Sequence, residues 1–202
     1  EMIHVASLRH DDVLDEAEMR RGGEAVHTMY TNKVAVLAGD YLLARASVLL
    51  ARLHHLQVVE VMASALDSLV QGEIMQARAK KDDLADFEPY LRKSYFKTAS
   101  LICNSCKSTA LLAGHKETDL MTVSAEEYGY HLGMAYQIVD DILDFTGASA
   151  ALGKPAQADM ELGLATAPIL FAAEDHPELV PLIQRRFKEE GDVQNAVRIA
   201  AG

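Results

Sequence analysis

The sequence predicts an all-α fold. Along the 202 residues, apolar side chains recur at the three- and four-residue spacing of helices, whereas the alternation typical of β-strands is nearly absent. Hydrophobic residues make up 50% of the chain, which is enough for one domain with a substantial core. We therefore expect a single helical domain over residues 1–202.

Glycine, proline and charged residues mark the breaks between the helices. A first helix is expected to end near Leu14, and the sequence Arg20-Arg21-Gly22-Gly23 then interrupts the helical pattern. The pair His54-His55 separates two long apolar helices, and Pro89 ends a charged connection. The later elements are expected to be helices at 31–53, 58–79, 90–113, 124–145 and 165–174, connections at 80–89 and 147–159, and a polar, partly helical end.

The charge balance restricts the class of function. The chain has 30 Asp and Glu against 19 Lys and Arg, a formal net charge of −11. This excess of carboxylates argues against nucleic-acid binding and favours metal binding. We see no uninterrupted apolar run near the roughly 18 residues of a membrane span, so we expect no transmembrane segment.

Two cysteines, Cys103 and Cys106, are too few for a disulfide scaffold, which favours a reducing compartment. Their spacing resembles half of a zinc site or a redox pair. However, no second Cys/His pair at zinc-ligand spacing accompanies them, and the strand–helix context of a redox motif is absent. We expect two small side chains packed within a helix.

Two aspartate clusters share one spacing: Asp11-Asp12-Val13-Leu14-Asp15 and Asp140-Asp141-Ile142-Leu143-Asp144. On a helix, residues i, i+1 and i+4 project from neighbouring parts of one face, where three carboxylates repel each other unless a cation lies among them. Mg²⁺ suits this role because it takes few carboxylates and completes its shell with water and phosphate oxygens. Apolar helix precedes each cluster, which predicts a metal site at the mouth of an apolar cavity.

The residues around these clusters resemble the all-trans polyprenyl diphosphate synthase family, most closely the long-chain enzymes that make quinone side chains. The first motif begins at His10 and continues to Arg20-Arg21-Gly22. The second begins at Gln137, ends at Phe145 and is followed by Gly153-Lys154. The residues between them, in the family's order, are Asn32-Lys33, Ala38-Gly39-Asp40, Gly72-Glu73 with Gln76, and Lys97-Thr98.

The resemblance implies an isoprenoid-synthase-type helical bundle around a central apolar cavity, and a reaction that joins isopentenyl diphosphate to an allylic diphosphate. Mg²⁺, as three ions with bound diphosphate, would be held by Asp11, Asp15 and Asp140. The carboxylates of Asp12, Asp141 and Asp144 would be further ligands or act through water. The implied substrate and catalytic residues are Arg20, Lys97 and Lys154 on the allylic diphosphate, Arg21 on isopentenyl diphosphate, and Thr98 and Gln137 beside the developing cation.

Ala6 and Ser7 bear on the length of the product. They lie about one helical turn before Asp11, where a growing hydrocarbon tail would pass. In the resembled family, bulky aromatic residues there stop chain growth, so these small residues predict a long-chain product. The alternative is that both merely permit close helix packing. For Glu73 and Gln76, a place in the wall of the site and a structural hydrogen-bonding role both stay open.

The resemblance also implies partners and a location. The family's enzymes are homodimers or hetero-oligomers with a related subunit, and release of a long product suggests peripheral membrane association. The long-chain type suggests the matrix side of the mitochondrion, with the bacterial cytoplasm or a plastid as alternatives. The family's upstream basic segment and its last helices are not in these 202 residues, so an inactive regulatory subunit is one alternative function. A terpene cyclase is another, although it would usually pair one aspartate cluster with a different metal motif.

Overall fold

A computed structural model describes residues 1–79, 84–147 and 157–201 of the chain. These residues are mostly helical, as the hydrophobic pattern predicts. The helices are α1 (Met2–Leu14), α2 (Val26–Met29), α3 (Asn32–Arg52), α4 (Leu56–Arg78), α5 (Phe87–Ser94), α6 (Ser100–Leu112), α7 (Leu120–Thr146), α8 (Ala158–Glu161), α9 (Ala167–Asp175), α10 (Leu179–Gln184) and α11 (Asp192–Ala200), with a π-helix at Tyr95–Ala99 between α5 and α6.

Helices α6 and α7 pack along each other, α4 packs on α6 and α1 packs on α3. Glycines in α7 allow its close approach to the preceding helices. A Cβ atom at Gly133 would lie 2.5 Å from the Cα atom of Ala99, and one at Gly129 would lie 2.7 Å from the Cα atom of Cys103. These contacts fix α7, which carries the second aspartate cluster, against the π-helix and α6.

The described residues form two separate hydrophobic cores. One joins α1, α3, α4 and α6 through side chains such as Ile3, Ala46, Val58 and Leu111. The other joins α5 to the last helices, and its buried members include Tyr90 and Ile169. The two aspartate clusters lie at the carboxyl ends of α1 and α7, so each is placed by a helix that contacts one of these cores.

Most of the predicted helices are present, but several boundaries differ; α7, for example, begins at Leu120 rather than near residue 124. Helix α5 begins at Phe87 rather than after Pro89, because Asp86 caps it and a proline is tolerated in the first turn, where its missing N–H needs no partner. A short antiparallel hairpin, whose strands Met19–Arg20 and Gly23–Glu24 have two residues each, occupies the break after α1. The predicted loop at 147–159 ends earlier, since Ala158 already begins α8.

The predicted helix at 90–113 is divided by the π-helix. The backbone N–H of Ser100 donates to the carbonyl of Tyr95, five residues back. Such wide turns occur frequently at functional sites. Here the wide turn contains Lys97 and Thr98, two of the residues that the family resemblance assigns to catalysis.

Helix α3 is the one helix in the described part of the chain that is long and apolar enough, by length and composition, to cross a membrane. A core helix of a soluble protein meets the same criteria, so this is weak evidence. The expectation of no transmembrane segment therefore stays a prediction. Large apolar side chains on α3 and α7 are exposed, including Leu37, Tyr41 and Tyr136.

Both cysteines lie in α6 as free thiols, as the sequence suggested. The Cys103 thiol is buried and donates to the carbonyl oxygen of Glu126 at 3.3 Å. Burial, together with the negative charge of Glu126, raises its pKa to about 11. A thiol in this environment is a packing residue and not a reactive thiolate.

Candidate active site

The first aspartate cluster lies over the last turn of α1, and its three carboxylates have different surroundings. Asp15 is exposed and Asp11 is half-buried, whereas Asp12 is only 1% exposed. The Oδ1 atom of Asp12 accepts a hydrogen bond from Nε of Arg20 at 2.7 Å and pairs with its Nη2 atom at 2.5 Å. Arg9 Nη1 lies 3.5 Å from the other oxygen. The charge of Asp12 is therefore already paired within the protein.

The second cluster shows the same division. Asp141 is 1% exposed, and both of its carboxylate oxygens accept hydrogen bonds. Its Oδ2 atom accepts from the Tyr90 hydroxyl at 2.7 Å and from the backbone N–H of Ala167 at 3.2 Å. Its Oδ1 atom accepts from Nε2 of Gln137 at 2.8 Å. In each motif the middle aspartate thus points into the protein.

Asp11 lies in a region of surplus negative charge. Burial and the negative charges of Glu73 and Asp15 raise the pKa of its carboxyl to about 6, against the opposing effect of Lys97 and Arg20. Asp11 and Asp15 are separated by one turn of α1, and Glu73 reaches the same region from α4. A cation bound at these carboxylates would relieve the repulsion.

Lys97 is held over this region by α4. Its Nζ atom forms an ion pair with Glu73 at 2.6 Å and donates to Oε1 of Gln76 at 3.3 Å. Gly72 makes room for it, since a Cβ atom at that position would lie 2.6 Å from Cγ of Lys97. Glu73 and Gln76 therefore both contact the ammonium group of Lys97 and hold it in place.

Thr98 follows Lys97 in the π-helix and faces α7. Its hydroxyl donates to Oε1 of Gln137 at 2.6 Å. The two residues that the family resemblance places near the developing cation are therefore in direct contact. Gln137 in turn donates to Asp141, so the pair is linked to the second aspartate cluster.

Asp144 connects the end of α7 to the start of α8. Its carboxylate oxygens accept from the backbone N–H groups of Ala158 at 3.2 Å and Asp159 at 3.4 Å. Asp140 is half-buried on the same helical end and also interacts with other residues. Lys154 and Gly153, predicted beside this cluster, lie outside the described residues.

Arg20 and Arg21 diverge, although they are neighbours in sequence. Arg20 is half-buried on Asp12, whereas Arg21 is exposed at the turn of the hairpin with a positive φ of 52°. Their separate assignments to two diphosphates stay predictions.

His10 links α1 to α3. Its Nε2 atom lies 3.3 Å from Oδ1 of Asp40 and 3.2 Å from the carbonyl oxygen of Val36. Gly39 allows this approach, because a Cβ atom there would collide with the imidazole ring. The family-like Ala38-Gly39-Asp40 segment therefore supports the helix that carries the first aspartates.

The region proposed to limit product length is partly defined. Ala6 is fully buried, and the half-buried Ser7 donates its hydroxyl to the carbonyl of His4 at 2.9 Å.

A cavity of about 380 Å³ opens beside the first cluster and is lined by Leu14, Asp15, Glu16, Gln76, Ala77, Leu162, Leu164 and Arg186. Its lining is mixed in polarity, so the central apolar cavity stays a prediction.

No three His, Cys, Asp or Glu side chains within residues 1–79, 84–147 and 157–201 are arranged to hold a metal ion as they stand. The donor chemistry nonetheless fits a hard cation. Asp11 and Asp15 provide carboxylate oxygens one turn apart at the end of α1, and a cation there would offset the burial and the negative neighbours that raise the pKa of Asp11. The residues therefore fit Mg²⁺.

Sequence reasoning missed two residues of this region. The sequence pattern places Tyr90 only at the start of a predicted helix, yet its hydroxyl contacts Asp141, 51 positions away. Lys93 is half-buried; burial and the charge of Lys97 lower its pKa, against the nearby carboxylates of Asp141 and Asp159. A one-turn spacing from Tyr90 through Lys93 to Lys97 was the available signal, since these positions lie on neighbouring parts of a helical face.

Comparison with known proteins identifies the family. The polyprenyl synthetase family model matches residues 1–200, so the chain belongs to that family. It is 51% identical over 201 residues to a decaprenyl-diphosphate synthase of Dictyostelium discoideum, covering 100% of this chain and 43% of the relative. It is 50% identical over 197 residues to the mitochondrial solanesyl-diphosphate synthase 1 of Oryza sativa subsp. japonica, covering 98% and 45%.

A solved structure shares the fold. The polyprenyl synthase of Caulobacter crescentus CB15, in complex with calcium and isoprenyl diphosphate, superposes with a TM-score of 0.87 at 33% identity. The alignment covers 100% of this chain and 62% of that protein. The isoprenoid-synthase fold expected from the sequence is thereby confirmed. The chain spans less than half the length of the two curated relatives named above.

Proposed function

We propose that the complete protein containing this chain is a Mg²⁺-dependent prenyltransferase that makes a long-chain all-trans polyprenyl diphosphate, for ubiquinone biosynthesis. The observation that carries this proposal is the pair of aspartate motifs at the ends of α1 and α7, each with one carboxylate anchored in the protein. The two long-chain synthases that are 51% and 50% identical to this chain support the same function.

Asp11, Asp15 and Asp140 would hold Mg²⁺, which supplies positive charge against the diphosphate. Asp12 and Asp141, already paired with protein donors, would keep the two helix ends in position and act on the metal through water. Asp144 would serve in the same way while it fixes the start of α8.

The cationic residues bind the substrates. Arg20, Lys97 and Lys154 would bind the allylic diphosphate, and Arg21 would bind isopentenyl diphosphate. Lys97 is half-buried and paired with Glu73 in the free protein, so the bound diphosphate would share or replace that carboxylate as its partner.

The proposed reaction passes through a developing allylic cation, which the site must stabilise. The allylic carbon–oxygen bond breaks, and its electron pair leaves with the diphosphate. The double bond of isopentenyl diphosphate supplies the electrons of the new carbon–carbon bond, and loss of a proton restores a double bond. Thr98 and Gln137 present dipoles to the developing cation, which stabilise positive charge without capturing it. The released diphosphate is the proposed base.

We further infer an oligomer, either a homodimer or a complex with a related subunit, from the exposed apolar side chains of α3 and α7. Long hydrophobic products would be released to a membrane surface by peripheral association. The matrix side of the mitochondrion is the proposed location, because the similar rice synthase is mitochondrial. The substrates remain small diphosphates, and no nucleic acid is involved.

The test is an incubation of the complete protein with Mg²⁺, labelled isopentenyl diphosphate and an allylic primer, followed by sizing of the extracted products. Long polyprenyl products that disappear in Asp11→Ala and Asp140→Ala variants would support the proposal. A folded protein that binds diphosphate in the presence of Mg²⁺ but makes no product would instead support the inactive-subunit alternative. Cyclic hydrocarbons would support the terpene-cyclase alternative, which the synthases named above do not favour.

A further inference from the structure

Four side chains form a continuous chain of hydrogen bonds through the candidate active site. The Tyr90 hydroxyl, from α5, donates to Asp141 on α7 at 2.7 Å. Gln137, one turn earlier on α7, donates to the other oxygen of that carboxylate at 2.8 Å. Thr98, from the π-helix, donates to Gln137 at 2.6 Å. We call these four residues, Tyr90, Asp141, Gln137 and Thr98, the relay.

The chemistry of the relay fixes its direction. A carboxylate can only accept hydrogen bonds, so Gln137 must turn its Nε2 atom, and not its oxygen, toward Asp141. Its Oε1 atom then faces Thr98 and can only accept. The hydroxyl hydrogen of Thr98 is therefore committed to Gln137, and the lone pairs of the Thr98 oxygen remain available to another partner.

The hydrogen bonds to the Asp141 carboxylate keep the Gln137 amide in this orientation. Its Oδ2 atom is occupied by Tyr90 and by the backbone N–H of Ala167, which leaves Oδ1 for Gln137. Asp141 is 1% exposed and Tyr90 is 5% exposed, so water is largely kept from replacing a lost donor. The Phe87 ring packs on the Tyr90 ring at 5.3 Å between centroids, which holds the hydroxyl in place.

We propose that Tyr90 is a positioning residue: by fixing the Asp141 carboxylate, it orients the Gln137 amide so that Thr98 offers oxygen lone pairs to the developing allylic cation. This inference rests on the proposed function. Without the tyrosine hydroxyl, Oδ2 of Asp141 keeps only the Ala167 N–H at 3.2 Å, so the carboxylate can rotate and release Nε2 of Gln137 from Oδ1. The Gln137 amide then loses its fixed orientation, and an amide N–H pointing at Thr98 would engage the lone pairs that the cation needs.

The test is Tyr90→Phe in the complete protein, which removes one hydroxyl and keeps the ring. We expect kcat to fall about tenfold, while KM for both diphosphates stays within about twofold, because the relay acts on the cation and not on substrate binding. Tyr30→Phe is the matched control, since that exposed tyrosine lies at the end of α2, outside the relay and outside α3 and α7.

A double-mutant cycle separates positioning from general stability. In a Thr98→Val background, Tyr90→Phe should lower kcat by much less than it does in the wild type, because the end of the relay is already absent. An equal loss of kcat in both backgrounds would overturn the proposal. A parallel rise of KM and fall of kcat, with a loss of thermal stability, would overturn it as well.

A second readout does not require elongation activity. In protein labelled with ¹⁵N-glutamine, Tyr90→Phe should shift the side-chain amide resonances of Gln137, whereas Tyr30→Phe should leave them in place. If the wild type elongates no primer but these resonances respond as expected, the proposed function fails and the relay stands. If the resonances are unchanged by Tyr90→Phe, the relay is wrong whatever the activity.

Discussion

Arg20 closes over the buried Asp12, with its Nε atom 2.7 Å and its Nη2 atom 2.5 Å from the same carboxylate oxygen. This contact ties the hairpin after α1 to the last turn of that helix. Asp12 is 1% exposed, while the arginine side chain remains 20% exposed. The ion pair thus has one fully buried member that depends on one partly accessible partner.

Arg20→Ala should therefore be far more destabilising than Arg21→Ala. Among the described residues, removing Arg20 leaves the buried carboxylate with the 3.5 Å contact to Arg9, and breaking such a pair costs on the order of 3 kcal/mol. Arg21 is exposed, so its removal should cost less than about 0.5 kcal/mol. Urea unfolding of the two variants measures the difference, and equal losses of stability would contradict the structural role of Arg20.

Asp11→Asn should stabilise the metal-free protein at neutral pH. The pKa of Asp11 is raised to about 6 in the folded state, above the usual range, so the folded state binds more protons than the unfolded state between about pH 4 and 6. The free energy of unfolding therefore falls as pH rises through this interval. At pH 7.5 the uncharged variant should be more stable by about 1–3 kcal/mol.

The check is thermal unfolding in EDTA at pH 4 and pH 7.5. The advantage of Asp11→Asn should be large at pH 7.5 and much smaller at pH 4, where the carboxyl is protonated in the folded state and about half protonated in the unfolded state. An Asp11→Asn variant that is less stable than the wild type at pH 7.5 would show that Asp11 is already well neutralised by Lys97 and Arg20.

Gly72→Ala should lower activity by displacing Lys97. Alanine normally improves a helix interior by about 0.5–1 kcal/mol, so a loss of activity here could not come from a poorer helix former. The new Cβ atom would lie 2.6 Å from Cγ of Lys97 and 3.0 Å from its backbone nitrogen, which forces Nζ away from Glu73. We expect kcat/KM to fall by about tenfold or more.

Gly23→Ala is the control for this experiment. A Cβ atom there would meet only the carbonyl oxygen of Arg20, at an ordinary 3.8 Å. Steady-state kinetics on both variants tests the prediction, and wild-type kcat/KM in Gly72→Ala would show that the position of Lys97 is not critical.

Ala6→Phe should shorten the product. Ala6 is fully buried one turn before Asp11, and a phenyl group at a tail channel would block chain growth. If the side chain instead faces a tightly packed helix, the substitution would cost about 1–3 kcal/mol by overpacking and leave product length unchanged. Product sizing together with thermal unfolding distinguishes these outcomes.

The all-α fold and most helix ends could be predicted because they depend on local periodicity and capping. Thr31, for example, stands where α3 is expected to begin, and its side chain accepts from the backbone N–H of Val34 three residues on. The π-helix at Tyr95–Ala99 could not be read in this way, since an uninterrupted helix has the same hydrophobic pattern over so short a stretch. Close packing of Gly72 and Gly133 against that segment became visible only in three dimensions.

The candidate site shows the same limit. The spacing of Asp11, Asp12 and Asp15 indicated a shared face but could not show which carboxylate turns inward, because that depends on Arg20 and the hairpin that brings it back. The contact between Tyr90 and Asp141 spans 51 positions, so the local spacing of Tyr90 and Lys97 indicates a shared helical face but not this partner. Long-range pairs of this kind separate a list of motif residues from an account of their roles.

The central claim is that outward aspartates hold Mg²⁺ while inward aspartates anchor the helices. The most direct measurement is a Mg²⁺ titration of the initial elongation rate for Asp11→Asn and Asp12→Asn in the complete protein. Asp11→Asn should raise the half-saturating Mg²⁺ concentration by about tenfold or more, whereas Asp12→Asn should change it less than about threefold and instead lower the stability of the fold. Equal shifts in the two variants, with no difference in stability, would contradict this division.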